Sequence, residues 1–178
     1  YVAAFADGAV DAGDFGVGWT LGLKNIRLQK NRVLGNNWFE SSESGGLGNY
    51  SIDPVRQRTV TITFPDGQTE KFEATTSPES QIALPITAAT VTYTPIANTR
   101  GKLVSAGSDD VLVAGSYPGS VDLFTYDGGL YSPSLFQYTT DEAVVYVIDE
   151  RDGLKSMTDR NGNRLTVEEN GIIWTNIV

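Results

Sequence analysis

Cysteine and histidine are both absent from the 178-residue chain. The absence of cysteine excludes disulfide bonds and thiolate metal sites, although it leaves the cellular compartment open. The absence of histidine excludes catalysis by Ser-His-Asp or Cys-His groups and removes the commonest zinc ligand. An enzyme made from this chain would have to work with carboxylates, lysine, tyrosine or serine–lysine pairs. We therefore expect no enzymatic activity, no cofactor and no metal.

Long apolar runs and positive charge are also scarce. No run approaches the roughly 18 apolar residues that indicate a membrane helix, so no membrane span is predicted. The net charge of −9 argues against a nucleic-acid partner, because phosphate binding needs clustered lysine and arginine. No signal peptide is visible. The chain begins at Tyr1 rather than at methionine, so we expect a natural start further upstream, and a signal peptide can have been lost with it.

What the sequence does contain is a regular alternation of apolar and polar residues. It is clearest in Thr139–Val178, where short alternating runs are separated by Asp152-Gly153, Asn161-Gly162 and Asn170-Gly171. Asn-Gly between two such runs predicts a hairpin with a type I′ turn, in which both central residues have positive φ. The segment is therefore predicted to be a series of strands joined by tight turns, with no stretch long enough for a helix.

Hairpin signals recur upstream of this segment. Arg58–Ala74 combines β-branched residues at period two with the turn sequence Pro65-Asp66-Gly67. The other predicted pairs are Ala89–Thr94 with Lys102–Ala106 and Leu135–Thr139 with Val144–Ile148, and residues 75–86 are predicted to form a loop. Together these signals predict an all-β fold in which antiparallel hairpins and a meander form a curved sheet.

The N-terminal region has two unusual patterns. Asp14–Leu23 (DFGVGWTLGL) alternates glycine with large apolar residues, which leaves one strand face flat, and we expect Phe15 and Trp19 to anchor the core there. Lys24–Leu34 alternates cations with apolar residues. We predict an edge strand whose cations discourage pairing with other sheets, and a basic anion-binding strip is the alternative.

One segment has the spacing of a possible calcium loop. Asp159, Asn161 and Asn163 match its opening, but the EF-hand pattern then requires glycine at position six and glutamate at position twelve. This chain has Arg164 and Asn170 at those places. We therefore predict a turn rather than a metal site.

Two further candidate sites are weak. Adjacent carboxylates of the kind a glycosidase needs point to opposite faces of a strand, so neighbours cannot flank one bond. These pairs are Asp141/Glu142, Asp149/Glu150 and Glu168/Glu169. A cluster of aromatic residues could form a platform for sugars, although such residues are more often core or cross-strand pairs. It consists of Tyr126, Tyr131, Phe136 and Tyr138.

Three stretches carry a resemblance to a known family. Gly153–Thr166 (GLKSMTDRNGNRLT) resembles the RHS or YD repeat, whose units follow roughly G-L-x-x-x-T-D-x-x-G-N-x-x-T. Asp14–Leu23 is similar to the F-G-x-G-W-[ST]-L segment found where RHS regions begin, and Phe64–Phe72 is typical of the same region. The chain departs from the family at Asp141-Glu142-Ala143, where RHS proteins often have Asp-Gly-Thr.

The residue patterns and the resemblance together predict that residues 1–178 form a single all-β module. Residues 1–39 would hold the strands of the G-x-G-W segment, and the composition of residues 40–49 predicts a flexible loop. Residues 50–138 would form strand hairpins, and residues 139–178 a YD-type repeat. In this family the repeats wind into a hollow β-shell that encloses a C-terminal toxin or effector domain.

We therefore expect a non-catalytic structural segment of a longer RHS/YD-repeat protein, secreted or displayed at a bacterial cell surface. Its partners would be further repeats of the parent protein and the enclosed effector. Strand edges left open at the ends of the segment would also favour self-association. The alternative function is an extracellular module that binds carbohydrate or protein.

Overall fold

A computed structural model describes residues 2–3, 12–13, 16–17, 19–20, 25–43, 48–168 and 171–175 of the chain. The fold is all-β, with 59% of residues in strands, and the described residues contain no α-helix. The antiparallel strands form a strongly curled half-barrel. The prediction of an all-β fold with a curved antiparallel sheet is confirmed. No helix in the described part of the chain has the length and apolarity needed to cross a membrane.

The strands are short, as expected for a chain in which turn residues recur so often. They are β1 (Val2–Ala3), β2 (Ala12–Gly13), β3 (Gly16–Val17), β4 (Trp19–Thr20), β5 (Arg27–Lys30), β6 (Trp38–Glu43), β7 (Asn49–Pro54), β8 (Thr59–Thr63), β9 (Thr69–Ser77), β10 (Ser80–Ile82), β11 (Ala88–Ile96), β12 (Lys102–Ser105), β13 (Asp110–Gly115), β14 (Gly119–Phe124), β15 (Leu135–Thr139), β16 (Val145–Asp149), β17 (Gly153–Thr158), β18 (Arg164–Glu168) and β19 (Gly171–Thr175).

Two large sheets contain most of these strands. The first has nine strands in the order β10-β7-β6-β14-β13-β11-β9-β8-β5, and the second has six in the order β12-β15-β16-β17-β18-β19. Every neighbouring pair is antiparallel. From β15 to β19 the second sheet is an uninterrupted meander. The short strands β1 and β4 pair with each other, as do β2 and β3.

Alternation along several strands, among them β9, β11, β13 and β15, places one face in a shared core. In β9 the buried residues are every second one, beginning at Glu70 and ending at Thr76. Aromatic rings join the two sheets across the core. Tyr93 of β11 meets Phe136 of β15 edge-to-face at 5.6 Å, and Phe72 of β9 meets Tyr138 of β15 at 5.9 Å. Such pairs add about 0.5–1.5 kcal/mol each to the burial of their apolar area.

One predicted strand pair is wrong. Ala89–Thr94 does not pair with Lys102–Ala106, because β11 pairs with β9 and β13, whereas β12 pairs with β15 in the second sheet. Leu103 of β12 is buried in the shared core. The chain therefore crosses from one sheet to the other at Gly101, which has φ +85°. The pairing of Leu135–Thr139 with residues 145–148 is confirmed, as is the hairpin at Arg58–Ala74.

Two predicted loops are partly strand. Residues 40–43 of the predicted loop 40–49 continue β6, because Glu40 keeps the alternating burial that Trp38 begins. Residues 44–47 lie outside the described part. The predicted loop 75–86 contains the end of β9 and all of β10, because alternation continues to the buried Thr76.

The cationic strand lies where the sequence predicted it. β5 is the terminal strand of the nine-stranded sheet, so its prediction as an edge strand is confirmed. Its Lys30 also reaches the second sheet, where the ammonium group lies 2.9 Å from a carboxylate oxygen of Glu150 and donates to the carbonyl of Pro133 at 2.8 Å. Phe15, predicted as a core anchor, lies outside the described residues, and for Trp19, the other predicted anchor, only the backbone is described.

Candidate functional site

The most regular feature of the molecule is a five-residue turn, first seen at Phe64–Gln68. The N–H of Gly67 donates to the carbonyl of Phe64 at 3.0 Å, and the N–H of Phe64 donates to the carbonyl of Gln68 at 2.8 Å. Gly67 has φ +87°. This is a type I turn followed by a left-handed residue and a bulge, a common connection between antiparallel strands.

The same pair of backbone hydrogen bonds closes three more turns: residues 125–129, 140–144 and 159–163. In each turn the fourth residue has positive φ. It is Gly128 at +88°, Ala143 at +62° and Gly162 at +87°. The recurrent acidic turn sequences therefore share one turn geometry, which reverses the chain between neighbouring strands.

The turn at residues 159–163 contains Asp159, Asn161 and Asn163, the residues that match the opening of a calcium-binding loop. The Oδ1 atom of Asp159 accepts from the N–H groups of Asn161 at 2.8 Å and Asn163 at 2.9 Å. Its Oδ2 atom accepts from the side-chain amide of Asn163 at 2.8 Å. These hydrogen bonds, that from the Asn163 side chain above all, lower the pKa of Asp159. Both carboxylate oxygens therefore serve the turn.

The predicted turn type at this position is wrong. A type I′ turn would give Asn161 a positive φ, but among these residues only Gly162 has one. The physical reason is the loop length, because three residues rather than two separate Asp159 from Asn163, and a type I turn with a left-handed glycine fits that length.

The described members of the candidate carboxylate pairs lie in turns, in an ion pair or at an exposed strand end. Asp141 and Glu142 are exposed within the turn at residues 140–144. Glu150 pairs with Lys30, as described above. Glu168 is exposed near the end of β18, and Glu169 lies outside the described residues.

A cavity of about 530 Å³ lies beside Ser134 and Asp149–Asp152. Burial raises the pKa of Asp149, but hydrogen bonds from the N–H groups of Asp152 and Arg151 outweigh that effect, so the net shift is downward. A carboxylate held ionised in this way cannot donate a proton at neutral pH. Within the part of the chain that the structure describes, no three acidic side chains are arranged to hold a metal ion.

The aromatic group does not form a platform, and the favoured interpretation as core residues is confirmed for three of its four members. Phe136 and Tyr138 face the core because β15 alternates, and they are 0% and 3% exposed. Tyr131 is 1% exposed, which leaves Tyr126, at 66%, as the only member of the group that faces solvent. The carbohydrate-binding alternative therefore loses the feature that suggested it.

A buried polar network joins residues that sequence patterns did not bring together. The hydroxyl groups of Tyr93 and Tyr131 are 2.7 Å apart, and the Tyr131 hydroxyl donates to the Oδ1 atom of Asp109 at 2.5 Å. The Oδ2 atom of Asp109 accepts from the N–H of Ser105 at 3.2 Å. Burial raises the pKa of both tyrosines, so they remain neutral hydrogen-bonding groups.

Glu40 is a second buried polar group that the sequence did not reveal, since its neighbours predicted a loop. It is 0% exposed, and its Oε1 atom accepts from the N–H of Ile86 at 2.7 Å. Its Oε2 atom has no hydrogen-bond partner among the described residues. Burial raises the pKa of this carboxyl group.

The final described strand is an edge. Among the described residues β19 pairs only with β18, so the other side of the strand has no described neighbour. Ile173 is 49% exposed on this strand. At the opposite end of the nine-stranded sheet, β10 is likewise terminal and carries Ile82 at 68% exposure. Apolar residues on terminal strands favour addition of another strand.

Comparison with known proteins gives no relative: no family model matches the chain, and no curated protein or solved structure is significantly similar to it.

Proposed function

We propose that the chain is a non-catalytic structural segment of an RHS/YD-repeat protein. Its role would be to form part of the wall of a β-shell that encloses a C-terminal toxin or effector. The observation that carries the proposal is the meander from β15 to β19, which ends in a strand that has no neighbour on its other side among the described residues. A sheet that ends in this way can be extended by the next hairpin without rearrangement.

The chemistry of the repeat motif supports the same proposal. Asp159 accepts the turn's amide hydrogens, Gly162 supplies the left-handed conformation, and Asn163 fixes the Asp159 carboxylate. Leu154, from the start of the motif, is buried in the core. Each of these residues thus builds a hairpin, and none is left over for catalysis.

The space between the two sheets of the half-barrel is filled by side chains of this segment itself. Large side chains such as Trp38, Phe72 and Phe136 fill the space between the two sheets. The segment thus stabilises itself with its own core, while the enclosed volume would be formed by the repeats that follow. The parent protein would be secreted or displayed at a bacterial surface.

The complete natural reading frame tests this proposal at little cost. We expect several further units with the T-D-x-x-G-N pattern to follow Val178, and then a domain of different composition. A reading frame that stops shortly after Val178 would contradict the proposal. The extracellular binding alternative is left without an observation in its favour, because three of the four aromatic candidates are buried.

A further inference from the structure

A second pocket, of about 300 Å³, is lined by three arginines. It lies between the loop that connects β5 with β6 and the segment that precedes β8. Its lining consists of Arg32, Asn37, Val55, Arg56 and Arg58. No acidic residue belongs to the described part of this lining, although acidic residues outnumber basic ones 22 to 13 in the whole chain.

Arg58 is the fixed part of the pocket. It is 0% exposed, and its guanidinium group donates to the carbonyls of Leu34 at 3.1 Å, Arg56 at 2.7 Å, Asn37 at 3.0 Å and Asn36. These bonds account for four of the five N–H donors of a guanidinium group. The charged group is also 5.2 Å from the ring of Trp38. Arg58 is therefore held rigidly by neutral partners.

No carboxylate neutralises Arg58 directly in the described part of the chain, where its four side-chain hydrogen bonds all end on carbonyl oxygens. The pKa of Arg58 is lowered, mainly by burial and also by the positive charge of Arg32, whereas the negative charge of Asp122 acts in the opposite direction. Asp122 is already engaged, because its Oδ1 atom accepts from the N–H of Asn37 at 2.7 Å. A buried charge paired only with neutral groups gains strongly from a bound counter-ion.

Arg32 and Arg56 form the rim of the pocket. Both are exposed, and neither side chain has a hydrogen bond or ion pair among the described contacts. Asn37 lines the same pocket with φ +55°, in the left-handed region that asparagine adopts more readily than most residues. One buried and two exposed guanidinium groups therefore lie around a single opening.

We propose that this pocket binds one tetrahedral oxyanion, phosphate or sulfate. Guanidinium groups match such anions because their planar N–H pairs donate to two oxygens at once. Attraction would come from the local cluster, since the net charge of the whole chain is negative and distant charges are screened over about 10 Å at ordinary ionic strength. The anion would join the β5–β6 loop to the segment before β8.

Isothermal titration of the intact chain with sodium phosphate, sodium sulfate and sodium acetate at constant ionic strength tests this site. The test variant is Arg32→Gln/Arg56→Gln, which leaves the loop-building Arg58 in place. The control variant is Arg100→Gln/Arg160→Gln, which removes the same charge from exposed positions outside the pocket. Circular dichroism and thermal unfolding would establish that each variant is folded.

We expect saturable binding of phosphate or sulfate to the native chain and the control, but not of acetate. Loss of both rim arginines should weaken it by roughly a hundredfold, about tenfold for each charge-assisted contact. If the variant does not fold, each single substitution should still weaken binding by about tenfold. Absence of saturable binding, equal affinity in both double variants, or a response shared with acetate would overturn the proposal.

Discussion

Ala143 occupies the one position in its turn that the other three turns give to glycine. Its φ of +62° places a β-carbon in the left-handed region, where the side chain approaches the backbone. The surrounding hydrogen bonds, from Ala143 to Thr140 and from Thr140 to Val144, hold it there. The strain is therefore local and is offset by the pairing of β15 with β16.

Replacement of Ala143 by glycine should relieve that strain. We expect Ala143→Gly to raise the free energy of unfolding by about 0.5–1 kcal/mol, measured by urea denaturation. The matched control is Gly67→Ala, where a β-carbon would meet no atom within 4 Å, so only the backbone strain is added. Gly67→Ala should lower stability by a similar amount. Equal stability of all three proteins would contradict the account of these turns.

Glu40 gives a prediction about pH. Because burial raises its folded-state pKa, the contribution of the neutral carboxyl to stability is fully present below about pH 4.5 and is lost as the pH rises through the folded-state value. The stability lost at high pH is about 1.4 kcal/mol for each unit by which the folded-state pKa exceeds the unfolded-state pKa. Glu40→Gln removes this loss, because glutamine does not ionise. We expect the variant to gain stability over the native chain as the pH increases from 4.5 to 7. Parallel pH profiles of unfolding would refute this.

At the scale of elements, the least local feature is the crossing of the chain between sheets. β12 belongs to the second sheet, and the chain returns to the first at β13. Asp109, between these strands, is tied to Tyr131, which is tied to Tyr93 of β11. The network thus holds the segment in which the chain passes from the second sheet back to the first.

Tyr131→Phe should destabilise the protein by about 1–3 kcal/mol, because Asp109 and Tyr93 each lose a buried hydrogen-bond partner. The control is Tyr126→Phe, which changes a hydroxyl group on a side chain that is 66% exposed and should alter stability by less than about 0.5 kcal/mol. Chemical denaturation of the three proteins measures both effects. A loss of the same size in both variants would contradict the assigned role of the network.

Local signals predicted local structure well. Pro65-Asp66-Gly67 predicted its hairpin because turn geometry depends on the few residues inside the turn. The pairing of β12 with β15 was not predictable, because no pattern in Lys102–Ser105 specifies a partner more than thirty positions away in the chain. Likewise the burial of Glu40 and Arg58 follows from the two-sheet arrangement, whereas a charged residue alone predicts exposure.

At the scale of the whole molecule, the expected association depends on the terminal strands, which have no second neighbour in the part of the chain that the structure describes. β19 ends the six-stranded sheet and carries Ile173 at 49% exposure. An isolated chain with such an edge can satisfy it by pairing with a second copy. We therefore expect concentration-dependent association in sedimentation experiments.

A charge on β19 should suppress this association. Ile173→Lys adds a lysine at the edge, which is the usual device against strand addition. The control is Leu112→Lys on β13, a residue 38% exposed on a strand paired on both sides. We expect only Ile173→Lys to shift the sedimentation profile towards monomer. A native chain that stays monomeric at high concentration, or equal effects of the two lysines, would contradict the prediction.

The central claim is that β19 is made to be extended by a following repeat. A cryo-electron-microscopy structure of the protein encoded by the complete natural reading frame tests this most directly. The account predicts that the side of β19 opposite β18 is hydrogen-bonded to an antiparallel strand of the next repeat, in a continuous shell wall. A structure in which that side of β19 faces solvent, or is covered by a helix or an unrelated domain, would contradict it.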